Sequence, residues 1–129
     1  MKRRILVVED NPANSELLCD WLEGEGFDVV TAENLDQAFD AVKTQAPDAV
    51  LLDVQLRSED GLTLAASIRK DPALVKTPII GVTAHAMVTD HERVLQAGCN
   101  ACISKPVDFK LLSQQLDRWV QLMATPKQT

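Results

Sequence analysis

Two short apolar runs in this 129-residue sequence stop at acids. Ile5-Leu6-Val7-Val8 runs into Glu9-Asp10, and Ala49-Val50-Leu51-Leu52 runs into Asp53. An apolar run without alternation reads as a strand covered on both faces of a sheet, where a carboxylate is tolerated only as burial ends. Two further runs end in other polar groups, Pro78-Ile79-Ile80-Gly81-Val82 in Thr83 and Ala101-Cys102-Ile103-Ser104 in Lys105. Strands of a parallel sheet bring their carboxyl ends to one edge, the edge at which open α/β sheets bind ligands. Glu9, Asp10 and Asp53 would meet there, and three anions are not held together without a cation. Hard carboxylate oxygens favour Mg²⁺, which keeps several waters and takes one or two carboxylates directly. A lysine and a threonine hydroxyl opposite that metal suit a tetrahedral dianion. These are the parts of a phosphoryl-transfer site, where the work is mostly positioning and charge neutralisation. Asp53, central among them, can act as a carboxylate nucleophile and hold a phosphoryl group as an acyl phosphate.

The intervening segments supply the scaffold. Asn11-Pro12 reads as a helix N-cap followed by a first helical residue. Ala13, Leu17, Leu18, Trp21 and Leu22 then form one apolar face, and Gly24 and Gly26 end the helix. Phe27 to Thr31 is a strand nearer the sheet edge. Asn34 with Gln37 resembles a capping box, ahead of a stripe of Leu35, Ala38, Phe39 and Val42. After Asp53 come a polar turn from Gln55 to Gly61 and a helix turning Leu62, Ala65, Ala66 and Ile68 inward, closed by Asp71-Pro72. Thr89 with Glu92 fits a capping pattern for a fourth helix, facing in through Val94 and Leu95 and ended by Gly98. Asp108 caps a last helix whose Phe109, Leu112, Leu116, Trp119, Val120 and Met123 repeat at three and four. Five strands alternating with five helices imply a parallel sheet with right-handed crossovers and helices on both faces. Residues 1–124 are expected to form one domain and 125–129 a frayed tail.

Composition narrows the function. Hydrophobic residues make up 46% of the chain, enough for a full core. The net charge of −6 argues against nucleic-acid or anionic-membrane binding. The apolar stretch after Lys2-Arg3-Arg4 is too short for a signal peptide, and none is long enough to span a bilayer. A cytoplasmic location is the expectation. Cys99-Asn100-Ala101-Cys102 spells C-x-x-C but runs into a strand instead of opening a helix, so buried packing is the reading over redox or zinc chemistry. His85 and His91, six apart, do not have the spacing of paired helical metal ligands.

With Val7-Val8-Glu9-Asp10-Asn11, Leu51-Leu52-Asp53-Val54 followed by Gly61, Val82-Thr83-Ala84 and Ser104-Lys105-Pro106 in order, the chain resembles a response-regulator receiver domain over essentially its whole length. The resemblance implies a flavodoxin-like (βα)5 three-layer fold with strand order 2-1-3-4-5. It implies Asp53 as phosphoacceptor, with Mg²⁺ held by Asp10, Asp53 and the backbone carbonyl of Gln55, and Glu9 acting through water. Thr83 and Lys105 would contact the phosphoryl oxygens, and the Lys105–Pro106 bond would be cis. It also implies a signalling domain that catalyses its own phosphorylation and dephosphorylation, not a conventional enzyme. A histidine kinase or histidine phosphotransfer domain would meet its first helix, and a downstream protein its helices 4 and 5.

The sequence departs from the family pattern in three places. Leu56-Arg57 stand where receivers commonly have Met-Pro, Cys102 stands where a switching aromatic is usual, and His85 occupies a position that influences phosphoryl lifetime, as does Gln55. The chain ends about six residues after Met123, so a stand-alone regulator is expected, with no DNA-binding effector. The alternatives are a receiver belonging to a hybrid histidine kinase, similar in the segment Val82 to Met87, and a partner-binding pseudo-receiver. A flavodoxin-like cofactor module is a poorer fit, because Glu9 and Asp10 in the first loop repel phosphate.

Overall fold

The runs Ile5–Val8 and Ala49–Asp53 lie side by side at the centre of a sheet, and Ile5, Leu6, Val7, Ala49, Val50 and Leu52 are completely buried. A computed structural model describes residues 2–84 and 87–124, the last four of these by their backbone alone. The element order is β1 (Arg4–Val8), α1 (Pro12–Gly24), β2 (Asp28–Ala32), α2 (Leu35–Thr44), β3 (Ala49–Asp53), β4 (Gln55–Leu56), β5 (Glu59–Asp60), α3 (Leu62–Lys70), β6 (Ile79–Thr83), α4 (Val88–Gln96), β7 (Ala101–Ser104) and α5 (Phe109–Ala124). The five long strands are parallel in the order β2-β1-β3-β6-β7, which is the expected 2-1-3-4-5 with the short pair β4-β5 set aside.

Side-chain alternation along the strands divides the core. Ile5, Val7, Ala49, Leu51, Ile80 and Ile103 pack with Leu18 and Leu22 of α1 and Leu112, Leu116 and Val120 of α5. Leu6, Val8, Val50, Leu52 and Ile79 pack on the other face with α2, α3 and Val94 of α4. The result is the flavodoxin-like three-layer sandwich. Among the described residues twelve Leu and Ile side chains are fully buried, each worth about 1.5–3 kcal/mol over exposure. That reserve lets the fold carry buried carboxylates at the sheet edge.

Local signals acted mostly as read. Asn11 Oδ1 accepts the Asn14 N–H at 3.1 Å, with Pro12 at the helix start. Asp108 Oδ1 caps α5 through the Lys110 and Leu111 N–H groups. Gly98 takes φ +121°, a conformation L side chains rarely adopt. At α2 the box is only half closed: Asn34 Oδ1 accepts from Gln37 N–H, but Gln37 Oε1 accepts from Glu33.

Four expectations are corrected. The segment read as a polar turn after Asp53 folds into the antiparallel pair β4-β5, with Leu56 buried. Thr89 does not cap α4; the Met87 carbonyl accepts the Asp90 and His91 N–H groups, so the helix starts before Thr89. In α3, Leu64 is fully buried and Ala66 only partly, because α3 meets α2 as well as the sheet. Ala13 and Leu17 of α1 and Leu95 of α4 face outward, Leu17 being 57% exposed; a single buried ridge suffices for each of these surface helices. His85, the side chain of Met123 and the tail 125–129 lie outside the described residues.

Gly61 follows β5 and donates its N–H to the Val54 carbonyl at 2.9 Å. A Cβ added there would stand 2.3 Å from the Asp53 carbonyl oxygen, whereas one at Gly24 would meet nothing within 4 Å. Gly61→Ala is expected to lower unfolding free energy by about 1–3 kcal/mol, the usual cost of overpacking. Gly24→Ala should be neutral or stabilise by up to about 1 kcal/mol. Urea denaturation of both variants checks this; equal stabilities would contradict the close approach.

Candidate functional site

Asp53 ends β3 beside Val82 of β6, and Val8 at the end of β1 lies beside Leu52. The first residues past the end of β1, Glu9 and Asp10, therefore arrive next to Asp53. Oxygens from Glu9, Asp10 and Asp53 lie within 4.8 Å of one another. Glu9 and Asp53 are each only 4% exposed, and Asp10 is half-buried at the rim.

Backbone amides and one lysine hold the carboxylates in place. Asp53 Oδ1 accepts the Gln55 N–H at 2.9 Å, and Asp53 Oδ2 lies 2.9 Å from Lys105 Nζ. Glu9 Oε2 accepts the Asn11 N–H at 3.1 Å, while Glu9 Oε1 is 3.5 Å from the same ammonium. Asp10 Oδ2 accepts the Arg57 N–H from the β4-β5 hairpin. Two of the three carboxylates, Asp53 and Glu9, thus share the charge of Lys105, and Asp10 has a backbone amide as its partner.

The titration shifts follow this geometry. Burial pushes the Glu9 carboxyl up; the Asn11 N–H pulls against it, and the Asp53 charge adds to the rise. For Lys105, burial alone would lower the ammonium, but the hydrogen bond and charge of Asp53, followed by those of Glu9, leave it raised. The asymmetry matches the distances: Lys105 is closer to Asp53 than to Glu9, so Glu9 feels its anionic neighbour more than the cation.

Thr83 is 3% exposed and ends β6, one residue past the partner of Asp53. Its carbonyl accepts the Lys105 N–H at 2.7 Å. The Lys105–Pro106 peptide is cis, as the resemblance implies. Glu9, Asp10, Asp53 and Lys105 converge, Thr83 stands at the same edge, and Gln55 touches Asp53 through its amide. Sequence reading missed the direct approach of Lys105 to Glu9 and the amides of Asn11, Gln55 and Arg57. Backbone donors leave no trace in residue type.

Beside Asp53 and Lys105 opens a cavity of about 400 Å³, lined mainly by apolar residues including Leu17, Leu18, Pro106, Val107 and Phe109. On the other side of the fold, Cys99 and Cys102 behave as packing residues. Burial pushes the Cys99 thiol up to about 12 and that of Cys102 to about 11, so neither offers a thiolate near neutrality. An all-oxygen set with three carboxylates fits a hard divalent cation such as Mg²⁺.

Known proteins converge on the same description. The family described as response regulator receiver domain matches residues 5–117. The polar-differentiation response regulator DivK of Brucella anthropi is 38% identical over 107 residues, covering 83% of this chain and 87% of that protein. Among solved structures, the receiver domain of a sensor histidine kinase from Pseudomonas aeruginosa, with a magnesium ion coordinated in its active-site cleft, superposes with a TM-score of 0.84 at 35% identity, covering 93% of this chain and 98% of that one. The BeF3-activated receiver domain of Klebsiella pneumoniae RstA gives a TM-score of 0.84 at 28% identity, over 92% and 99% of the two chains. On the family match, the fold and the strand-end cluster together, this chain belongs to the response-regulator receiver domains.

Proposed function

We propose that Asp53 is the phosphoacceptor of a two-component system or phosphorelay. The observation that carries this reading is its setting: a 4%-exposed carboxylate with one oxygen fixed by the Gln55 amide and the other 2.9 Å from Lys105. A carboxylate so held has its orientation fixed before the donor arrives. One Asp53 oxygen attacks the phosphorus of a phosphohistidine; the P–N bond breaks, the electron pair leaves with the imidazole, and an acyl phosphate remains on Asp53. Lys105 swings from carboxylate to phosphoryl oxygen as charge moves outward, and the Thr83 hydroxyl donates to another oxygen. Asp10, Asp53 and the Gln55 backbone carbonyl would hold Mg²⁺ directly, with Glu9 acting through water. When bound, the ion neutralises the charge that gathers on the phosphoryl oxygens. The domain occupies residues 1–124.

The donor is a histidine kinase or histidine phosphotransfer domain docking beside α1. The signal is read by a protein at α4 and α5, where Val88, Leu95 and Leu111 are exposed. A net charge of −6 fits a protein partner better than DNA. Among the described residues no helix is long and apolar enough to cross a membrane. The likeness to the Pseudomonas receiver favours one second reading, a receiver that serves a hybrid kinase.

Incubation with Mg²⁺ and acetyl phosphate should add one phosphoryl group to the wild type, read by intact mass, and none to Asp53→Asn. Equal uptake by both proteins, or none by the wild type from this donor or a phosphohistidine protein, would overturn the assignment.

The charge imbalance gives a second expectation. Asp10→Asn keeps an oxygen for the Arg57 N–H but removes one of three anions. Without metal it should gain stability on the order of 1 kcal/mol, because like charges no longer crowd one another. It should also lose the Mg²⁺-dependent rise in unfolding midpoint that ligand linkage gives the wild type. Urea unfolding with and without MgCl₂ measures both; a variant that is weaker without metal and still responds to Mg²⁺ would contradict the shared-cation account.

A further inference from the structure

Helix α4 is lightly held. Val94 is its buried side chain, no side chain among the described residues caps its N-terminus, and Met87 and Val88 at its start are 67% and 72% exposed. Its C-terminal end is fixed from below: Arg69 Nε donates to the Gly98 carbonyl at 2.8 Å, and Val94 packs where a Cβ on Gly81 would stand 2.6 Å from it. The N-terminal half is tied differently. His91 Nε2 lies 2.9 Å from Ser104 Oγ, joining the second turn of α4 to the end of β7. Both residues are half-buried, so water competes only partly for that bond.

Ser104 is placed to feel the carboxylate site. It precedes Lys105, whose ammonium contacts Asp53 and Glu9, and it pairs across the sheet with Thr83. The Lys105 N–H to Thr83 carbonyl bond, 2.7 Å, stitches the two strand ends together just beyond it. A shift of the Thr83–Lys105 backbone would therefore carry Ser104 with it. Cys102, two residues earlier on the same face of β7, packs against the apolar cluster that holds Val94.

We propose that His91 is a positioning residue: its hydrogen bond to Ser104 is the tether through which occupancy of the Asp53–Lys105 site sets the position of the first turns of α4. The tether carries a signal only if Asp53 takes a phosphoryl group, as proposed above. A bond between a helix and a strand end has two discrete states, made and broken, which is what a population shift requires. With the tether made, α4 is drawn toward β7; with Ser104 displaced, its N-terminal half is released while Val94 keeps the other half docked.

The test is hydrogen–deuterium exchange of the α4 segment, with and without Mg²⁺ and acetyl phosphate, in wild type, His91→Leu and His91→Gln. Intact mass is read on the same samples. Glutamine places an amide near the Nε2 position and can keep the bond; leucine cannot. Wild type and His91→Gln should change α4 exchange on phosphorylation, and His91→Leu should take up the same phosphoryl mass with that change lost. A merely structural role would alter resting exchange in His91→Leu but leave the phosphorylation-dependent change intact, and that result overturns the proposal. So does a phosphorylated wild type whose α4 does not respond, or a His91→Leu protein that cannot be phosphorylated. A wild type that gains no phosphoryl group from either donor class would sink the phosphoacceptor reading itself, and the tether with it.

Discussion

Lys105 Nζ stands 2.9 Å from Asp53 Oδ2 and 3.5 Å from Glu9 Oε1, and both carboxylates are 4% exposed. Burying a carboxylate costs on the order of several kcal/mol even after relaxation, and an unpaired one is worse. One ammonium cannot balance three acids, so backbone amides from Asn11, Gln55 and Arg57 supply the remaining hydrogen bonds. The site is thereby stable enough to exist and still short of positive charge. That shortfall is the functional property. It draws a divalent cation, and it leaves Lys105 held by a partner it can exchange for a phosphoryl oxygen.

The rest of the fold follows from keeping these groups at one edge. Parallel pairing delivers the ends of β1, β3, β6 and β7 to the same side, and a one-residue slip would carry Glu9 or Asp53 out of line with the partners that hold it at the edge. Gly61 admits the hairpin against the Asp53 carbonyl. Elements that need not hold the edge are attached more loosely, and α4 is the clearest case, with Val94 as its buried anchor.

Much of this was legible in residue order. Unalternated apolar runs ending in Glu9-Asp10, Asp53, Thr83 and Lys105 locate the strands, their direction and the acidic edge, because full burial and charge are incompatible except at a strand end. Asn11, Asp108 and Gly98 acted as their types require. What was not legible depends on three-dimensional neighbours. Leu17 and Leu95 fit helical stripes but face solvent, because periodicity counts apolar positions and not the width of the surface that covers them. The β4-β5 hairpin is too short for a strand pattern, and its amides are invisible to sequence. His91 has no metal-pair spacing with His85 and no other mark in the sequence; the packing of α4 on β7 brings it to Ser104.

The central claim is that Glu9, Asp10, Asp53 and Lys105 form a site completed by a divalent cation. Calorimetric titration of the wild type and of Asp10→Asn/Asp53→Asn with MgCl₂, at fixed ionic strength, tests it most directly. The account predicts one saturable Mg²⁺ per wild-type chain, in the millimolar range or tighter, and none in the double variant. Absence of saturable binding in the wild type, or equal binding by both proteins, would contradict it.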